Sequence, residues 1–169
     1  MADDRRTYGL VWVALRWAAA ALQQTDRVLA DFEPVRASMS SPDARKRRVT
    51  PESQRVEALF WADVHFLMIS VTHLDRALGM VGTGPTLSKA MTANAVRLRH
   101  LLEHWEKAED GAGAWKGLRE LHGDFATPTQ VVFSPDDLHI GDDSLSVAEL
   151  ADEVRRVERE LVALGLELG

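Results

Sequence analysis

Apolar positions recur at spacings of three and four along most of this chain, which is the pattern of helices buried on one side. From about Asp4 to Val35, Tyr8, Val11, Trp12, Leu15, Ala18, Ala19, Leu22, Leu29 and Phe32 follow that rhythm, with Val13 and Trp17 widening the face. Glu33-Pro34 then marks an end or a kink, because the residue before proline is pushed out of the α region. Thr50-Pro51-Glu52 opens a second helix, with Thr50 as N-cap and Pro51 in the first turn. This helix runs to about Leu78 and carries two stripes. One is Val56, Leu59, Phe60, Val64, Leu67, Val71, Leu74 and Leu78; the other includes Trp61, Met68 and Ile69. A helix apolar on two sides is central in a bundle or shared with a partner. Gly79, Gly82, Gly84 and Pro85 end it. A third helix is expected from near Thr86 to about Ala108, with a core stripe of Leu87, Met91, Ala95, Leu98, Leu102 and Trp105. Glu109 to Gly113 breaks it, and a short helix is expected around Trp115 to Leu121.

The rhythm changes between Thr127 and Leu145. Gln130 to Phe133 and Leu138 to Ile140 are short and β-prone, separated by the turn tetrapeptide Ser134-Pro135-Asp136-Asp137. They predict a small hairpin over about 129–141, with a second turn at Gly141-Asp142-Asp143. Ser146-Val147-Ala148-Glu149 is a capping box that starts a last helix. There Val147, Leu150, Val154, Val157, Leu161 and Leu164 form one seam that wants one partner groove. The expected fold is all-α: a bundle of four main helices with a small β-hairpin before the C-terminal helix.

Length and composition narrow this further. The 169 residues fit one domain spanning 1–169, large enough to bury a core without staples. There is no cysteine, so disulfides, thiolate metal sites and a cysteine nucleophile are excluded. No cofactor motif stands out. The N-terminal apolar run is broken by Arg16, Gln23, Gln24 and Asp26, too soon for a membrane span. It also lacks a cleavage pattern, so the expected location is cytoplasmic. The net charge of −6 argues against wholesale coating of nucleic acid, yet a local basic patch remains. That patch is Arg45-Lys46-Arg47-Arg48, in a linker over about 38–49, and it reads either as a solvated loop or as an RNA or phosphate contact.

Candidate chemistry gathers in Arg97-Leu98-Arg99-His100-Leu101-Leu102-Glu103-His104. On a helical wheel Arg97 and His104 lie about 20° apart across two turns, and His100 about 40° from His104. Arg99 lies roughly 140° round from His104. An arginine fork grips phosphate, and histidine moves protons near neutral pH. RNA brings its own nucleophile, the 2′-hydroxyl, so such a site needs proton transfer and charge stabilisation but no metal. The same letters spell His100-x-x-Glu103-His104, the spacing by which inverted zinc peptidases supply two ligands and a base. A third ligand and a larger α/β scaffold would be needed, and neither is apparent. The bland alternative is a solvated face, or an ion-pair network with Glu103 and Glu106. Among other residues, His65 and His73 sit two turns apart on the second helix and could line one interface, where each reads as a hydrogen-bonded packing residue. Asp63 or Asp75 could orient a basic group of the third helix.

Val96 to Trp105 resembles the signature of HEPN domains (higher eukaryotes and prokaryotes nucleotide-binding): arginine, four to six residues, then histidine, on a late helix of a helical bundle. Arg99 with His104 matches the shorter spacing and Arg97 with His104 the longer. His100 stands where asparagine is common in the family. The resemblance implies a homodimer whose two motifs form one composite, metal-independent RNA-cleaving site. Arg99 and His104 would then act with His100 in support. It also implies a toxin or defence role, with an antitoxin or regulatory protein as partner. Many HEPN domains are catalytically silent, so a non-catalytic dimerisation module is the other expectation.

Overall fold

The protein is described by a computed structural model covering residues 2–40, 51–103, 132–134, 137–140 and 143–168. Its elements are helices α1 (Ala2–Ser40), α2 (Pro51–Val81) and α3 (Lys89–Glu103), strands β1 (Val132–Ser134), β2 (Asp137–Ile140) and β3 (Asp143–Ser146), and helix α4 (Val147–Leu168). This is the expected all-α bundle with a small β unit before the last helix. None of its helices is long and apolar enough to cross a membrane, among the described residues.

Helix α1 is the shared wall: it packs on α2 and on α4, while α3 packs on α2. Val11, Ala14, Ala18, Ala21, Thr25, Val28, Phe32 and Val35 are its buried residues. They alternate steps of three and four, the seam of a coiled coil. The seam is narrower than the stripe read from the sequence, and turned from it. Tyr8, Trp12 and Ala19 are exposed, and Leu15, Leu22 and Leu29 only half-buried. The small side chains Ala14, Ala18 and Ala21 let neighbouring helices approach closely, which hydrophobicity alone does not reveal. Thr25 is buried in this seam without an unmet donor, because its hydroxyl donates to Ala21 O at 2.9 Å. The expected stop at Glu33-Pro34 does not occur: α1 continues to Ser40. Proline removes one helix hydrogen bond, but Phe32 and Val35 on either side are both buried. Their burial offsets the lost bond.

Helix α2 runs antiparallel to α1. Arg27 pairs with Asp63 at 3.6 Å, and Trp17 stacks on His73 with ring centroids 4.5 Å apart, so α1 numbers rise as α2 numbers fall. The second of these contacts makes His73 a packing residue. As its two stripes imply, α2 is central, touching α1 on one side and α3 on the other. Phe60, Val64, Leu67, Met68, Val71 and Leu74 have no exposed surface. Leu59, placed in the main stripe by its spacing, is instead 52% exposed, as is Phe66 at 54%.

Gly82 closes α2. Its φ of 77° is the left-handed conformation that glycine adopts without penalty, and its N–H donates to Leu78 O at 3.2 Å. The connection that follows is strapped to α4. Arg156 Nη2 donates to Thr86 O at 2.8 Å, Glu153 accepts from Ser88 N–H, and Arg156 also pairs with Glu153 and Glu160.

The β unit is larger than the expected hairpin. Its three antiparallel strands have the order β1-β2-β3, so the pairing extends to Ser146 instead of ending near 141. Val132 lies opposite His139 and Ser134 opposite Asp137. Leu138 and Leu145 face each other across β2 and β3, and both are buried. The strand Asp143–Ser146 escapes sequence reading because it carries one apolar residue among polar ones. Ser146 ends β3 and caps α4: its Oγ accepts from Glu149 N–H at 3.2 Å. The serine half of the capping box is thus made as its spacing implies. The α4 seam of Val147, Leu150, Val154, Val157 and Leu161 is buried, and its groove is supplied within the chain by α1.

Candidate functional site

Helix α3 presents the Arg/His segment. It lies antiparallel on α2: Thr92 Oγ1 donates to Asp75 Oδ1 at 3.4 Å near its start, and His65 Nε2 lies 3.6 Å from Glu103 Oε1 at its end. Ala95, Leu98 and Leu101 are buried, while Met91 and Leu102 are half-buried. The buried face is therefore turned towards Leu101 relative to the stripe through Leu102. The cause is that α3 touches β3 as well as α2, so its core face is broader than one groove requires.

The polar set divides three ways. Arg97 and His100 are exposed. Arg99 is half-buried, and its Nε–H donates to Glu103 Oε1 at 2.7 Å, one helical turn on. His104 lies outside the described residues, as do Trp105, Glu106, Thr50, His122, the expected short helix around Trp115 and the basic run Arg45, Lys46, Arg47 and Arg48. The structure therefore brings Arg97, Arg99 and His100 onto one helix, and ties Arg99 to a carboxylate.

Glu103 is the centre of that tie. Its Oε1 meets Arg99 Nε at 2.7 Å and His65 Nε2 at 3.6 Å. The hydrogen bond from Arg99 holds its carboxyl below the ordinary value, against the opposing pull of burial; the charge of Arg99 and the nearby His65 act in the same direction as the hydrogen bond. Glu103 is thus a carboxylate at neutral pH. One of its oxygens, Oε1, is engaged by Arg99, a contact that the base of an H-x-x-E-H metal site would not need. No group of three or more metal-binding side chains forms among the described residues.

His65 differs in one respect from the hydrogen-bonded packing residue expected: its Nε2 is buried without a hydrogen-bond partner among the described residues and faces Glu103 at 3.6 Å. The register of α2 against α3 determines this contact, and no local pattern encodes that register. The aspartates expected to orient α3 divide differently. Asp75 does reach α3, but through Thr92. Asp63 turns to Arg27 of α1.

A depression of about 580 Å³ opens between the beginnings of α3 and α4, lined by Met91, Asn94, Leu145 and Glu149 among others. Arg97, Arg99 and His100 are not part of its lining. In comparisons with family models, with curated proteins and with solved structures, the chain matches none.

Proposed function

We propose that this chain is a HEPN-like protein acting as a metal-independent endoribonuclease of toxin or defence type, with a composite site at a homodimer interface. What supports the reading is the disposition of α3. Leu98 and Leu101 anchor the helix in the core while Arg97 and His100 face solvent. A rigid helix thus offers cationic and proton-transferring groups to a polyanion. In this reading His104 is the general acid or base, Arg99 or Arg97 grips the scissile phosphate, and His100 supports them. The basic run from Arg45 to Arg48 adds a further phosphate contact.

The deciding experiment is cleavage of a mixed-sequence RNA by wild-type and His104→Ala protein, each shown to be folded and each assayed with chelator present. Loss of one general acid or base lowers the rate by about 10²- to 10⁴-fold. A His104→Ala protein that cleaves RNA as fast as wild type sinks the reading. Activity that needs a divalent metal would favour the alternative hydrolase built on His100, Glu103 and His104.

The second reading is a non-catalytic helical interaction module. It draws on the Arg99–Glu103 bond, which uses part of the proposed phosphate-gripping group in a structural role, and on the exposed Leu59 and Phe66, which lie seven residues apart on one face of α2. It predicts a stable dimer without nuclease activity, seen by analytical ultracentrifugation beside the cleavage assay.

A further inference from the structure

Glu103 Oε1 is approached by two nitrogen atoms from two different helices, and that sharing has a chemical consequence. Arg99 Nε belongs to α3 and donates at 2.7 Å; His65 Nε2 belongs to α2 and lies 3.6 Å away. A neutral imidazole carries its proton on one nitrogen or the other. With the proton on Nδ1, the Nε2 lone pair would point at the carboxylate 3.6 Å away, which is repulsive. The carboxylate therefore favours the tautomer with hydrogen on Nε2, whose N–H faces Glu103.

Arginine is a planar fork of five donors. Holding Nε–H on Glu103 restricts the orientation of the guanidinium, and with it the directions open to both Nη groups. The Glu103 side chain is long and 30% exposed, so α3 alone leaves it rotamer freedom. The approach of His65 from α2 removes part of that freedom.

We propose that His65 is a positioning residue which, acting through Glu103, sets the direction in which Arg99 presents its guanidinium. The proposal deepens the reading of Arg99 as the phosphate-gripping group and rests on it for its functional meaning. The charged groups at this joint are Arg99 and Glu103 from α3; Asp63, two residues before His65 on α2, faces away to Arg27 of α1. His100 lies on α3 one residue beyond Arg99 and is exposed.

The test follows the Arg99 Nε–H signal by NMR in the full-length, ¹⁵N-labelled protein at one neutral pH. In wild type the signal is expected to be sharp, because the N–H is held on Glu103. His65→Leu should shift it and broaden it through solvent exchange. His65→Asn keeps an N–H donor, so it should keep the sharp signal. Glu103→Gln should broaden the signal and make it insensitive to the residue at position 65. An Arg99 signal indifferent to His65→Leu, or one that still responds to His65→Leu in the Glu103→Gln background, overturns the proposal. If His65→Leu fails to fold, the Asn and Gln variants decide by the same criteria. This readout needs no RNA. A coupled signal in a protein that cleaves nothing keeps the relay and removes the nuclease reading; cleavage with an uncoupled signal does the reverse.

Discussion

Glu103 carries the residue-scale electrostatics of α3. Its carboxyl is held below the ordinary value of 4.5, chiefly by the hydrogen bond from Arg99. A carboxylate with a depressed folded pKa stabilises the protein above its unfolded value, and the contribution is lost as pH falls through the folded one. Glu103→Gln should therefore destabilise the protein near neutral pH and matter progressively less below about pH 4.5. The side chains of Arg99 and Glu103 are 33% and 30% exposed, so solvent screens the pair and the loss should be about 0.5 kcal/mol. Urea midpoints of the two proteins from neutral to acidic pH check this; a gap that widens on acidification contradicts the assigned sign. Arg99→Ala should raise the Glu103 titration further than His65→Leu does, since Arg99 supplies the largest single effect. Side-chain carboxyl NMR reads both variants.

Element ends in this chain are set by side chains whose roles are local. Ser146 receives Glu149 N–H at the start of α4, and Ser146→Ala should cost about 1 kcal/mol in denaturant unfolding. Gly82 closes α2 at φ 77°, where any L residue pays the left-handed penalty; Gly82→Ala should cost about 1 kcal/mol or more although nothing crowds the added methyl. Equal stability in either variant would remove that cap from the account. Such signals are legible in the sequence because capping boxes and terminal glycines act over a few residues. The same locality explains what was not legible. Proline at 34 is a strong local stop signal, and the helix continues through it with Phe32 and Val35 buried in tertiary contacts. Strand β3 has almost no pattern of its own and forms by pairing with β2. The His65–Glu103 contact is likewise a matter of inter-helix register, so spacing along either helix shows each residue but not their meeting. Helical geometry did foreshadow the Arg99–Glu103 pair, as an ion-pair alternative to chemistry.

At the scale of the whole molecule, the arrangement depends on α1 serving two neighbours with one narrow seam. The sequence offers Ala18 and Ala19 as equals within a broad apolar stripe. In the structure they are opposites: Ala18 has no exposed surface and Ala19 faces solvent. The two positions differ by about 100° around the helix, so a matched pair of enlargements measures which face of α1 the bundle closes on. Ala18→Leu adds three carbons to a filled seam, forcing side chains from their rotamers or helices apart, at a cost of about 1–3 kcal/mol. Ala19→Leu places the same volume in solvent and, away from any buried partner, should stay within about 0.5 kcal/mol of wild type. Denaturant unfolding of the two variants at equal protein concentration gives the comparison. Reversal of their order would mean that α1 turns its other stripe inward. The buried faces of α2 and α4 would then have to be reassigned with it, because both helices pack against α1. The docking of α3 on α2, and with it the outward presentation of Arg97 and His100, depends on the same closure.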